Sequence, residues 1–247
     1  MDTEFEEQHQ QSRPVPAGLI DFPAAGLPEY DGCFAIVLDD LFPRSTLSFI
    51  LGQAQTLPWD VAKINSGTEA YTLPSYRNGQ RIIYDSFELS TQIFEKIRPH
   101  LHAIEEIEEP TYISGGRPAV QKWRMVRMNE RLRFLRYPKG GFFRMHCDGE
   151  YEDEKTGQRT FYTLQLYLPS DPTGSNESFQ PAQGGSTRFW SEESAYADVG
   201  ALPGRVLVFQ HESLAHTGEE VTGGVKCAMR SDILYEKVGR PVPIKRM

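Results

Sequence analysis

Arg136-Tyr137-Pro138-Lys139-Gly140-Gly141-Phe142-Phe143-Arg144-Met145-His146-Cys147-Asp148-Gly149 is the stretch on which the fold turns. An apolar and aromatic run, a turn built on Pro138 and two glycines, and a second run ending in His-Cys-Asp-Gly read as two successive strands. Side chains alternate between the faces of a strand, so His146 and Asp148 at i and i+2 point the same way and can share one ion. Cys147 has the opposite parity and is expected in the core. Surface strands often hold a His-x-Asp pair by chance, so the neighbouring segments must carry the reading.

Further short β-branched and aromatic runs surround it: Arg131–Tyr137, Phe161–Leu168, Ser186–Trp190, Arg205–Phe209 and Lys226–Tyr235, with Gly, Pro, Asp and Asn between them. Many short strands separated by turn signals predict a β-sandwich or barrel. Upstream, Cys33–Leu38 reads as a strand and Ser45–Leu51 as an amphipathic helix. A second helix is expected over Phe87–His102, where Leu89, Ile93, Phe94, Ile97 and Leu101 recur at helical spacing behind Asp85 or Ser86 as cap. Residues 1–30, rich in Glu, Gln and Pro, are expected to form a flexible tail that partly wraps the domain. Residues 31–247 read as one domain of helices first and strands after, the motif-bearing core covering about residues 120–236.

The 247 residues carry 26 Lys+Arg against 34 Asp+Glu, a net charge of −8. That balance argues against nucleic acid, whose binding rests on clustered cations. No run approaches the ~20 apolar residues that cross a bilayer, and the acidic start, Met1-Asp2-Thr3-Glu4-Phe5-Glu6-Glu7, lacks the basic and then apolar pattern of a secretory signal. Cys33, Cys147 and Cys227 are too few and too scattered for a disulfide framework. A cytoplasmic protein without membrane or nucleic-acid partners is the expectation, and the sequence sets no oligomeric state.

A third metal ligand is on offer downstream, where the apolar run Val206-Leu207-Val208-Phe209 leads to His211 and His216. Two imidazoles and one carboxylate on one face of a metal leave three positions open, the donor set of non-heme Fe(II) oxygenases. Zinc in the same ligands would favour hydrolysis through a bound water. Lys226, ten residues beyond His216 and just after Gly223-Gly224, could return on a hairpin beside the metal. A chelating acidic cosubstrate needs such a cation for its distal carboxylate, and hydrolytic zinc does not.

Taken together, Arg136-Tyr137, Gly140 or Gly141, Phe143, His146-Cys147-Asp148, Gly184-Gly185-Ser186-Thr187, and His216-Thr217-Gly218 with Lys226 resemble the 2-oxoglutarate- and Fe(II)-dependent dioxygenases, specifically their prolyl 4-hydroxylase-like group. The resemblance covers about Asn129 to Tyr235. It implies a mainly β, α+β fold with a double-stranded β-helix (jelly-roll) core, and Fe(II), 2-oxoglutarate and O2 as cofactor and cosubstrates, with ascorbate a candidate auxiliary. Carried over by position, it makes His146, Asp148 and His216 the iron ligands and Lys226 the partner of the 2-oxoglutarate C5 carboxylate. The Lys226 spacing selects His216 over His211, since ten residues past His211 stands Val221; His211 is then a supporting or substrate-facing residue.

Tyr137 matches a tyrosine that borders the cosubstrate, and Tyr167 and Gln165, of one strand parity with Thr163, are expected on the same wall. The other reading of the tyrosines is ordinary core aromatics. Arg77, Asn78 and Arg81, in a segment resembling one branch of the group, read either as a substrate rim or as a polar loop pinned by Asp85. Thr187 joins the substrate candidates, as does Arg230, which reads equally as an ion-pair partner of Asp232 or Glu212. Gln165 stands where that branch has an aliphatic residue, and Pro169 where it has Asn, which weakens transfer of a substrate by analogy. The Asp148–Arg159 and Ser170–Ala182 segments, rich in Gly, Pro, Ser and charge, are expected to form a lid.

Asp148 fills the coordination position that a halide would need, so hydroxylation is the implied outcome, with desaturation, epoxidation or ring closure related to it. The compact chain favours a small-molecule or amino-acid-derived substrate. A peptidyl-proline in a cytosolic protein is the alternative.

Overall fold

In the computed structural model, which describes residues 15–65, 70–191 and 195–244, period-two alternation sorts the strand side chains into two layers. The main elements in chain order are β1 (Ala35–Leu38), α1 (Arg44–Ala54), β2 (Gln80–Asp85), α2 (Phe87–Ile97), β3 (Glu106–Ile113), β4 (Arg117–Met128) and β5 (Arg131–Pro138). They continue with β6 (Phe142–His146), β7 (Arg159–Leu168), β8 (Thr187–Trp190), β9 (Tyr196–Val199), β10 (Val206–Gln210), β11 (His216–Gly218) and β12 (Val225–Pro243). A major sheet runs β1-β10-β7-β12-β5-β2, and the far half of β12 also carries β4 and β3. A minor sheet runs β9-β8-β11-β6. Facing antiparallel sheets of this kind make the jelly-roll core.

On β5, β7, β10 and β12 one parity is mainly apolar: Leu132, Phe134, Leu164, Leu166, Val206, Val208 and Met229 pack under α1 and α2. Full burial stabilises each such side chain by about 1.5–3 kcal/mol. The opposite parity faces the minor sheet and changes character along the strands. Leu207, Phe209, Tyr167 and Ala228 join Phe189 and Val199 in a second core, whereas Tyr137, Arg133, Thr163, Gln165, Lys226 and Arg230 leave that face polar. The polar rows are where the site lies.

α2 is capped by Ser86, whose Oγ accepts the Leu89 N–H at 3.2 Å. It ends at Ile97, short of His102, because Pro99 has no N–H and its ring opposes the carbonyl four residues earlier; Arg98–His100 continues as a 3-10 turn. Strands also arise in two upstream segments where none was expected. β2 pairs with β5, and β3 forms a hairpin with β4. The acids and Pro110 of β3 disguise it as a loop, yet they suit a strand with one solvent face and a free edge.

Residues 15–30, expected in the tail, wrap the major sheet: Gly18–Leu19 pairs with β1, and Phe22 and Leu27 are buried in the second core. The first fourteen residues of that tail lie outside the described residues. No described helix is long and apolar enough to cross a membrane.

Candidate active site

His146 closes β6, and His216 opens β11 opposite it in register. Asp148 lies two residues past the end of its strand, so pairing does not position it. Its Oδ2 accepts from Thr163 Oγ1 on β7 at 2.6 Å, and its Oδ1 from Arg230 Nη2 on β12 at 3.1 Å. The minor sheet thus supplies both imidazoles, and the major sheet holds the carboxylate. Ligand atoms of the three residues all lie within 4.8 Å of one another.

The donor set fits a divalent metal on its own chemistry. His146 Nδ1 stands 2.7 Å from the Arg144 carbonyl and His216 Nδ1 3.0 Å from the Leu214 carbonyl. A carbonyl only accepts, so both Nδ1 atoms carry hydrogen and each Nε2 keeps its lone pair for the ion. Burial keeps these rings neutral, pushing His146 down to about 3 with help from neighbouring His216, and lowering His216 as well. Burial by itself would raise Asp148; Arg230, with the two histidines, outweighs it and holds the carboxyl well below the usual range. Arg230 also contacts Asp232 at 3.2 Å, and Arg133 reaches the other Asp232 oxygen at 2.9 Å. Burial raises Asp232 and Arg230 more than offsets that, leaving it at about 2. Two arginines and two aspartates therefore form one compensated buried network behind the ligands.

Lys226 is 6% exposed and lines the same cleft as the triad. Its ammonium lies 5.7 Å from the Tyr137 ring centre and 5.6 Å from that of Tyr167, and it makes no hydrogen bond or ion pair with any other described residue. Burial lowers it to about 8, with Glu219 partly opposing. The expected hairpin from His216 is absent: β11 belongs to the minor sheet and β12 to the major one, so Lys226 reaches the cleft from the facing sheet. Tyr167 Oη and Gln165 Nε2 both meet Thr187 Oγ1, at 2.8 and 3.0 Å, so Thr187 fixes the polar wall beside Lys226. Tyr137 Oη accepts from Arg77 Nε at 3.2 Å and Nη2 at 3.0 Å.

Other sequence candidates fall elsewhere. Asn78 donates to the Gly140 carbonyl at 2.9 Å and does not line the cleft, while Arg77 and Arg81 do. Asp85 pairs with Arg131, so it does not pin the Arg77 segment. His211 is buried behind Asp232, its Nε2 3.6 Å from Oδ1, and is not on the cleft wall. Arg230 pairs with Asp148 and Asp232, not with Glu212. Cys147 is exposed, contrary to its expected burial, because the outer face of β6 meets solvent, as Met145 also shows. Neither expected lid segment lines the cleft beyond Asp148 itself. Ser170–Ala182 instead packs on α1, where Arg44 donates to Asn176 and stacks on Phe179. Thr163 and Arg133 were overlooked as site residues; the parity they share with Gln165 and Tyr137 is the signal that finds them.

Gly79 shows how tightly the wall is built. A Cβ there would collide with the Tyr137 ring. Gly79→Ala is expected to displace that ring, cost about 1–3 kcal/mol of stability in thermal unfolding, and weaken 2-oxoglutarate binding in calorimetry. An unchanged cosubstrate affinity would remove Tyr137 from the site.

Residues 132–231 match the family model of the 2OG-Fe(II) oxygenase superfamily. The triad-bearing core is that of a 2-oxoglutarate- and Fe(II)-dependent oxygenase. The matched segment contains the whole triad and Lys226, and the oxygenase takes Fe(II) as cofactor with 2-oxoglutarate and O2 as cosubstrates. A prolyl-4-hydroxylase from Pseudomonas putida superposes with a TM-score of 0.53 at 15% identity, over 85% of this chain and 97% of that one. A prolyl hydroxylase from Trichoplax adhaerens, in complex with a hypoxia inducible factor oxygen degradation domain peptide fragment, superposes with 0.51 at 12% identity, over 85% and 89%. At these identities the likeness shows the fold. No curated protein matches the sequence.

Proposed function

We propose that the oxygenase hydroxylates an unactivated C–H bond of a small molecule or amino-acid-derived substrate, with His146, Asp148 and His216 holding Fe(II) and Lys226 holding the C5 carboxylate of 2-oxoglutarate. The observation that carries this reading is Lys226: a buried ammonium, unpartnered among the described residues and sharing the cleft with the triad, is costly unless an anion joins it. Bound Fe(II), with O2 and 2-oxoglutarate, supplies the oxidising power for hydrogen abstraction and releases succinate and CO2. The chain's part is placement. His146 and His216 present neutral Nε2 atoms, and Arg230 and Thr163 keep Asp148 ionised and oriented. Tyr137, Gln165, Thr187, Phe142 and Phe143 line the cleft that would take the cosubstrate, and Tyr167, fully buried, braces Thr187 from behind.

A peptidyl-proline substrate is the second reading, favoured by the peptide bound to the Trichoplax relative. Succinate release measured over amino acids, small metabolites and proline peptides separates the two. Stimulation by a free small molecule is the expected result; stimulation by peptides alone would overturn the first reading.

The Lys226 value carries a pH signature. Below about pH 8 the ammonium is charged and binds the dianion; above it the free site is increasingly neutral. Affinity for 2-oxoglutarate should therefore fall by about tenfold per pH unit above that value. Lys226→Arg, charged throughout, should flatten the profile. Anaerobic calorimetry between about pH 7 and about pH 9.5 checks it, and a flat wild-type profile would count against Lys226 as the anchor.

A further inference from the structure

Five cations line the cleft in this net −8 chain: Arg77, Arg81, Arg133, Lys226 and Arg230. Three have a counter-charge. Arg230 and Arg133 share Asp148 and Asp232, and Lys226, on the reading proposed above, takes the distal carboxylate of the cosubstrate. Among the described residues Arg77 and Arg81 pair with none. Arg77 donates, among the described residues, only to neutral acceptors, the Tyr137 hydroxyl and, at 3.2 Å, the Lys63 carbonyl, with its guanidinium 4.3 Å from the Phe143 ring centre. Arg81 makes no hydrogen bond or ion pair with any other described residue. Its cross-strand neighbour Asp60 is exposed and forms no ion pair with it.

Position separates Arg81 from the cosubstrate anchor, whereas Arg77 borders it through the Tyr137 hydroxyl. Arg81 on β2 stands opposite Leu135 on β5, and Leu135 stands opposite Ala228 on β12. Ala228 lies between Lys226 and Arg230 on the inward face. Arg81 is thus two strand spacings, about 10 Å, from the strand that carries Lys226. Burial lowers the Arg81 pKa, and the like charges of Arg77 and Arg133 add to the effect, with the exposed Asp60 only partly opposing it. Holding like charges together on a cleft wall is unfavourable, and an anion lying between them relieves it. Guanidinium forks suit the oxygens of a carboxylate or a phosphate.

We propose that Arg77 and Arg81 bind an oxyanion of the primary substrate, a carboxylate or a phosphate ester, at a subsite distinct from Lys226. The substrate is then an acid whose charged end is held on the β2 wall while its reacting carbon faces the triad.

The test uses inorganic phosphate and acetate as probes, with chloride at matched ionic strength as control. Wild type and Arg81→Gln are loaded anaerobically with Fe(II) and saturating 2-oxoglutarate, loading is read from the visible charge-transfer band, and the probes are titrated by calorimetry. Saturable binding of at least one probe to the loaded wild type, weakened about tenfold or more in R81Q and partly restored in R81K, is the expected result. Acetate binding would mark the substrate as a carboxylic acid, and phosphate binding as a phosphate ester. No binding above the chloride control, equal affinity in R81Q, or displacement of the probe by 2-oxoglutarate would overturn the proposal. So would failure of R81Q to load, which would assign Arg81 to the cosubstrate. Failure of the wild type to load would instead strike the proposed function.

Discussion

Substituting Asp148 with Ala is expected to abolish turnover, lowering succinate release by more than about a hundredfold, beyond what loss of a supporting contact to a metal ligand costs. The effect has two sources. The site loses its one anionic ligand, and Arg230 is left with an uncompensated charge directed at the place the cation occupies. Asp148→Asn keeps the shape, yet its neutral amide cannot balance Arg230, so the same loss is expected there. Iron content and succinate release, measured beside circular dichroism to confirm folding, check both variants. Retained iron and turnover in either would remove Asp148 from the ligand set.

Removing Lys226 is expected to give the second largest effect. Truncating one partner of a buried, hydrogen-bonded charge pair costs about 2–5 kcal/mol, so the 2-oxoglutarate Kd of Lys226→Met should rise by about 30- to 4,000-fold. The same variant should be more thermostable than wild type when cosubstrate is absent, because the buried ammonium has no partner of its own among the described residues. A functional anchor predicts this opposite pair of outcomes. A merely structural lysine would lose stability with little change in Kd, and thermal unfolding with and without 2-oxoglutarate distinguishes the cases.

The ligand set was legible because its geometry is local. His146 and Asp148 are two residues apart, and the ten-residue interval from His216 to Lys226 sits within one short segment. The route by which Lys226 arrives was not legible, since the sequence shows a turn at Gly223-Gly224 and not which sheet the next strand joins. The buried Asp148-Arg230-Asp232-Arg133 network was hidden for a related reason. Its members come from β5, β12 and the segment after β6, and only the registers Arg133 to Arg230 and Gln165 to Arg230 bring them together. Tyr167 is buried in the second core and does not line the cleft; parity reasoning placed Tyr137 and Gln165 on its wall because both faces of the major sheet are covered. It failed for Cys147 because one face of β6 is not. Composition misled over Ser170–Ala182: its Gly, Pro and Ser resemble a mobile loop, but Phe179 buries it against α1.

The charge of the chain also takes on a local meaning. Behind a net charge of −8 lies a cleft lined by five cations and, among ionised acids, by Asp148 and Glu219. Such a concentration raises the local population of anions and favours their entry over that of neutral competitors.

The central claim is that His146, Asp148 and His216 hold Fe(II) while 2-oxoglutarate chelates it with its far end on Lys226. Anaerobic titration of the protein with Fe(II) and 2-oxoglutarate tests it most directly. A visible metal-to-ligand charge-transfer band that saturates with both components and disappears in His216→Ala is the predicted result; absence of the band, or its survival in that variant, would contradict the account.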